Sequence, residues 1–144
     1  MVRKTYIPEQ IINRSGNPKG RDGRKDYSYV PDSAITNIQL VRIKISLLTY
    51  DSSGSTGTDL VPPYLEVYVK GKGKNLTQIN GRITPTGANT YTFESNDATL
   101  LSKLTPGNTN DIRIVIGSLN KDRSAGNNDL VRVDYVEVQI EYQN

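Results

Sequence analysis

The chain has 144 residues, a formal net charge of +3, no Cys and no His. That length suits one domain with a real core and no need of staples. Missing Cys and His exclude disulfide frameworks, zinc sites, and catalysis by an activated Cys or a His base, leaving only carboxylate, Lys, Tyr or Ser/Thr chemistry.

Charge is unevenly placed. Residues 1–30 carry seven basic and three acidic groups, a net +4, while the rest of the chain has 11 basic and 12 acidic groups. The first residues lack the apolar core of a secretory signal, and no apolar run approaches a membrane span, so a soluble, cytoplasmically made protein is expected. "TYIPEQII" supplies a small apolar cluster, with Tyr6, Ile7, Ile11 and Ile12, ahead of "NRSGNPKGRDGRKD", which has no large apolar residue and includes Arg14, Arg21, Arg24 and Lys25. The second stretch cannot offset its ordering entropy by burial and reads as extended or disordered on its own. Residues 1–34 therefore form an arm in this reading, and residues 35–144 a folded domain. Two behaviours fit the arm: a tail whose short strand folds back, or an extension that docks on another subunit.

From residue 35 onward the pattern is all β. "ITNIQLVRIKISLL" puts Ile38 and Leu40 on one parity, then Val41, Ile43, Ile45 and Leu47 on the other. A period-2 strand changes face in this way only through a bulge or a bend. "YLEVYVKG" alternates Leu65, Val67 and Val69 against Tyr64, Glu66, Tyr68 and Lys70. Weaker strands follow at "LTQINGRI" and "NTYTFES". In "NDATLLSKL", Asn96 or Asp97 reads as the N-cap of one short helical turn. "DIRIVIGS" is a further strand, and "VRVDYVEVQIEY" closes the chain with a second change of face, at Tyr135/Val136. Strands at this spacing without amphipathic helices point to an antiparallel sandwich.

Candidate chemistry is sparse. Glu137 and Glu141 share a strand face but stand roughly 13 Å apart along it, too far for a hydrolytic pair. Asp122, Asn127, Asn128 and Asp129 match no calcium motif and read as a turn. "GKGKN" lacks the spacing and helix of a phosphate loop and reads as a hairpin turn guarded by Lys. Tyr64 and Tyr68 share an outward parity and suit a subunit interface better than sugar stacking, since the chain has no Trp. The basic arm lacks interleaved aromatics, so nucleic acid ranks below protein as its partner.

"ITNIQLVRIKISLL", "PPYLEVYVKG", "NDIRIVIGS" and "LVRVDYVEVQIEY", across residues 35–142, resemble the jelly-roll domains of bacteriophage virion proteins, head-decorating and tail-associated. The resemblance implies an antiparallel jelly-roll β-sandwich with no cofactor and no catalytic residues. It further implies a virion location, homo-oligomerisation, and phage capsid or other virion proteins as partners. The expected function is a non-enzymatic capsid decoration or cement protein clamped on by its basic N-terminal arm. A carbohydrate-binding module of a tail is the alternative, because related jelly rolls serve that role.

Overall fold

The computed structural model describes residues 2–6, 12–15, 23–51, 63–71, 75–87, 89–118 and 130–143. Among these described residues, nine strands and one helical turn follow in order: β1 (Val2–Tyr6), β2 (Ile12–Ser15), β3 (Gly23–Tyr29), β4 (Ile38–Asp51), β5 (Pro63–Lys70), β6 (Leu76–Ile83), β7 (Thr90–Ser95), α1 (Ala98–Leu101), β8 (Asn110–Ser118) and β9 (Leu130–Tyr142).

All strand pairs are antiparallel, and they nest. β5 pairs with β6 and β4 with β7. Outside these, β3 pairs with β8, and β1 and β2 pair with β9. This is the connectivity of one long hairpin. Rolling it up sets β9 beside β4 and β8 beside β5, which yields one sheet ordered β1-β9-β4-β7, with β2 also on β9, and a second ordered β3-β8-β5-β6. The domain is thus a jelly-roll β-sandwich, an arrangement that leaves few strand edges open.

Apolar residues at alternate positions fill the space between the sheets. Val41, Ile43, Ile45 and Leu47 of β4 face Leu65, Val67 and Val69 of β5 across the core, with Ile112 and Ile114 of β8 and Val136, Val138 and Ile140 of β9 beside them. β-branched residues dominate because their stiff side chains pack well on a pleated surface. Leu100, Leu101 and Leu104 close one end. They sit on and after α1, whose N-cap is Asp97; its carboxylate accepts from the Thr99 backbone N–H at 3.3 Å. Near this end Gly107, at φ +81°, approaches Ser33 so closely that a Cβ would lie 3.1 Å from the serine Cβ. Its N–H donates to the Pro31 carbonyl at 2.7 Å.

Both expected changes of face are ladder irregularities. On β4 the register shifts between Ile38 and Leu40, so that half-buried Ile38 and buried Val41 meet the same core although three residues apart. On β9 the pairing passes from Ser46↔Tyr135 to Leu47↔Val133 and then to Thr49↔Arg132, so Asp134 on β9 and Leu48 on β4 are both skipped and the register is restored beyond them. Each bulge lies within two residues of the position that parity indicated.

The arm boundary at residue 34 requires correction. β3 lies inside it and pairs with β8 from Gly23↔Ile116 to Tyr29↔Asn110. Tyr27 and Tyr29 are core residues, only 1% and 6% exposed. β3 is hard to see in the sequence because "GRKDYSY" has only Tyr27 and Tyr29 as large apolar residues, behind the three consecutive charges Arg24, Lys25 and Asp26. β1 and β2 are likewise strands of the first sheet, folded back on the chain's own β9.

Candidate functional site

Four features could carry function: the outer faces of the two sheets, the N-terminal strap along β9, and a cleft at the α1 end.

On the outer face of the first sheet, cross-strand neighbours alternate in charge from edge to edge. Arg3 of β1 donates to Glu141 of β9 at 2.7 Å. Arg42 of β4 donates through Nη1 to Glu141 at 3.4 Å and to the Gln139 side-chain oxygen at 3.1 Å, and through Nε to Glu94 of β7 at 2.8 Å. Lys44 stands 3.9 Å from Glu137, which also accepts from Gln139 at 2.8 Å. The Arg3 guanidinium holds the Glu141 carboxyl below the usual carboxylate range, and hydrogen bonding to Glu94 raises Arg42. Glu137 and Glu141 are thus occupied in ion pairs. The result is a charge-paired surface.

The outer face of the second sheet is more closed. Arg113 of β8 and Lys70 of β5 both donate to Asp26 of β3, at 2.7 and 3.1 Å. Arg82 of β6 lies with its guanidinium carbon 3.7 Å from the centroid of the Tyr64 ring and its Nε 3.4 Å from Oε2 of Glu66. Gln78 donates to the same carboxylate at 3.1 Å. Tyr64 is therefore 1% exposed. Parity placed it on the outer face correctly, but a long neighbour covers the ring, so it offers no open stacking platform. Tyr68 is half-buried.

The strap is the third feature. β1 pairs Val2–Tyr6 with Tyr142–Val138, and β2 pairs Ile12–Ser15 with Val133–Leu130. Both run antiparallel to β9 along the edge that β4 does not occupy. Val2, Arg3 and Lys4 are exposed, and no described side chain before Tyr27 belongs to the core. Of the arm residues singled out in the sequence, Tyr6 lies on β1, Ile12 and Arg14 on β2, and Arg24 and Lys25 on β3. Their side chains, together with Ile7, Ile11, Arg21 and the loop residues Asp122, Asn127, Asn128 and Asp129, lie outside the described residues.

The cleft was not visible in the sequence. It is an open cleft of about 480 Å³ between the β3–β4 connection and α1, and draws on residues 35–39 and 96–106, which only the fold brings together. Among the described residues no group of acidic side chains is arranged to hold a metal ion, and no helix is long and apolar enough to cross a membrane.

It is the strand pairing that makes this domain a jelly-roll β-sandwich. No protein-family model matches the chain, and no curated protein does. Among solved structures, it is similar to a chain of infectious bursal disease virus, Gt strain, at 11% identity and a TM-score of 0.47, over 98% of this chain and 33% of that one. A chain of the Gx strain of the same virus aligns at 11% identity and a TM-score of 0.37, over 96% of this chain and 39% of the other. The chain therefore spans between a third and two fifths of the length of these proteins.

Proposed function

We propose that this chain is a non-enzymatic structural protein of a bacteriophage virion, a capsid decoration or cement protein, and that its N-terminal strap makes the attachment. The observation that carries this reading is the strap itself. Val2–Tyr6 and Ile12–Ser15 are joined to the sandwich along one edge of β9, by main-chain ladder bonds that any matching strand edge can make. A neighbouring subunit's β9 can accept the same strap in the same register, exchanging equal bonds for equal bonds at little cost. Each subunit then holds its neighbour through a tethered second contact, which raises avidity without a new site. The basic residues Arg14, Arg24 and Lys25 add attraction to acidic surfaces, and the charge-paired outer face of the first sheet suits a polar contact with other virion proteins.

The test is attachment to purified particles stripped of this protein. A chain lacking residues 1–15 should bind at least about a hundredfold more weakly than the intact chain. Neutralising Arg14, Arg24 and Lys25 should mainly slow association and flatten the salt dependence. Equal attachment by the truncated and intact chains overturns the strap reading.

A further inference from the structure

The cleft beside α1 has a chemistry of its own. None of its lining side chains is charged, although 23% of the chain is charged residues. Its floor is apolar: Ile35 and Leu101 are buried core residues, and Ile38 and Pro106 are half-buried. Its rim is amide and hydroxyl, from Asn37, Gln39 and Asn96 and from Thr36 and Ser102.

The rim is held in place. Asn37 adopts the left-handed conformation, φ 52°, and its carbonyl accepts from the Gln143 N–H at 3.1 Å and the Gln39 side-chain amide at 3.0 Å. The Thr36 hydroxyl donates to the Gln143 carbonyl at 3.2 Å, and the Ser102 hydroxyl to the Thr99 carbonyl at 2.6 Å. Both hydroxyl oxygens keep free acceptor capacity. Among the described residues, the amide heads of Asn37 and Asn96 have no hydrogen-bond partner. Asn tolerates this conformation better than other non-glycine residues, so the backbone at Asn37 is fixed without unusual strain.

We infer that this cleft binds a neutral, polyhydroxylated ligand, a mono- or disaccharide unit of a glycan. Free amides donate and accept at once, which matches vicinal hydroxyls, while the apolar floor matches the C–H face of a pyranose ring. An anionic or cationic ligand would find no counter-charge in the lining, and a wholly apolar one would leave the amide rim desolvated without partners. The volume lies within the range of small-molecule sites. This inference adds a recognition function to the structural role and does not depend on the strap.

Titration of the intact, isotopically labelled chain by two-dimensional NMR tests it, with maltose, cellobiose, lactose and di-N-acetylchitobiose as neutral probes, and glucosamine and glucuronic acid as charged ones. At least one neutral disaccharide should shift the amides of Asn37, Gln39, Asn96 and Ser102 saturably, and the charged sugars should not. Asn37→Gly keeps the backbone, because glycine adopts positive φ freely, yet removes the amide. This variant and Asn96→Ala should each raise Kd about tenfold with the melting temperature unchanged. The inference is overturned if no neutral probe gives a saturable shift up to about 50 mM, if shifts fall elsewhere, or if neither substitution weakens binding. Particle attachment is measured separately and fails or succeeds independently.

Discussion

Asp26 and Arg113 form a two-point ion pair, with Nε donating to Oδ1 at 2.7 Å and Nη2 to Oδ2 at 3.2 Å. They are also directly opposite each other in the β3–β8 ladder. The pair therefore clamps an edge strand to its neighbour at the point where the next inward residue, Tyr27, enters the core. A charge on the outer face and an aromatic on the inner face fix the same strand.

This pair sets a pH dependence. The Arg113 guanidinium, opposed by partial burial and joined by Lys70, holds the Asp26 carboxyl below its ordinary value. The unfolded chain then binds the proton more tightly than the folded one, so the stabilisation is complete above the unfolded value of about 4 and is lost as pH falls through the lower folded value. Urea denaturation across this range should show a falling acid limb that is shallower in Asp26→Asn. At neutral pH that variant should be less stable by about 1 kcal/mol, a small figure because the carboxylate is partly solvated. An unchanged acid limb would remove Asp26 from this role.

Two truncations should behave differently. Removing residues 1–15 takes away the strap and no described core side chain, so a cooperatively unfolding domain should remain. Removing residues 1–30 also deletes β3 with Tyr27 and Tyr29, both buried. Each lost aromatic should cost about 3–5 kcal/mol, and together they rival the whole stability of a small domain. The longer truncation should therefore lose its cooperative thermal transition. A sharp, unchanged transition in that variant would mean that β3 contributes little.

How much of this was legible follows from which interactions are local. Parity along one strand is local, so the inward sets of β4 and β5 and both bulges could be read, as could the Asp97 cap, which acts two residues away. β3 was hidden because Tyr27 and Tyr29 are only two aromatics behind a Gly-rich, charged stretch, and its partner β8 lies far along the chain. The burial of Tyr64 depends on Arg82, which reaches across from the neighbouring strand. The cleft joins segments some sixty residues apart in sequence, and nothing in either alone marks it.

Arg3 links the strap to the charged ladder through Glu141, with the Arg3 side chain itself exposed. Replacing Arg3 with Ala should accelerate amide hydrogen exchange across Val2–Tyr6 while leaving β4 amides unchanged, because edge strands open locally without global unfolding. Added salt should speed exchange of the same amides in the intact chain and have little effect in the variant. Uniform acceleration across both strands would show that β1 opens only with the whole domain.

β6 offers the sharpest test of register. Leu65 pairs with Ile83 and Val67 with Ile79, so the two residues Asn80 and Gly81, at φ 59° and 74°, are extra. Because two residues are inserted, Ile79 and Ile83 both still meet the core. Deleting Asn80 and Gly81 together should preserve that parity and set Arg82 opposite Glu66 in an unbroken ladder, with stability within about 1 kcal/mol of the intact chain. Deleting Gly81 alone leaves Ile79 and Ile83 three residues apart, so both meet the core only if a one-residue bulge forms, as between Ile38 and Leu40 on β4; that rebuilt bulge should cost about 1–2 kcal/mol more than the double deletion. Gly81→Ala should cost about 1 kcal/mol from backbone conformation alone, since no atom lies within 4 Å of the added Cβ. The double deletion should also straighten an edge strand that the bulge now blunts, so sedimentation should detect self-association of that variant at concentrations where the intact chain shows less. If the single deletion is as mild as the double one, the bulge does not set the register of β6.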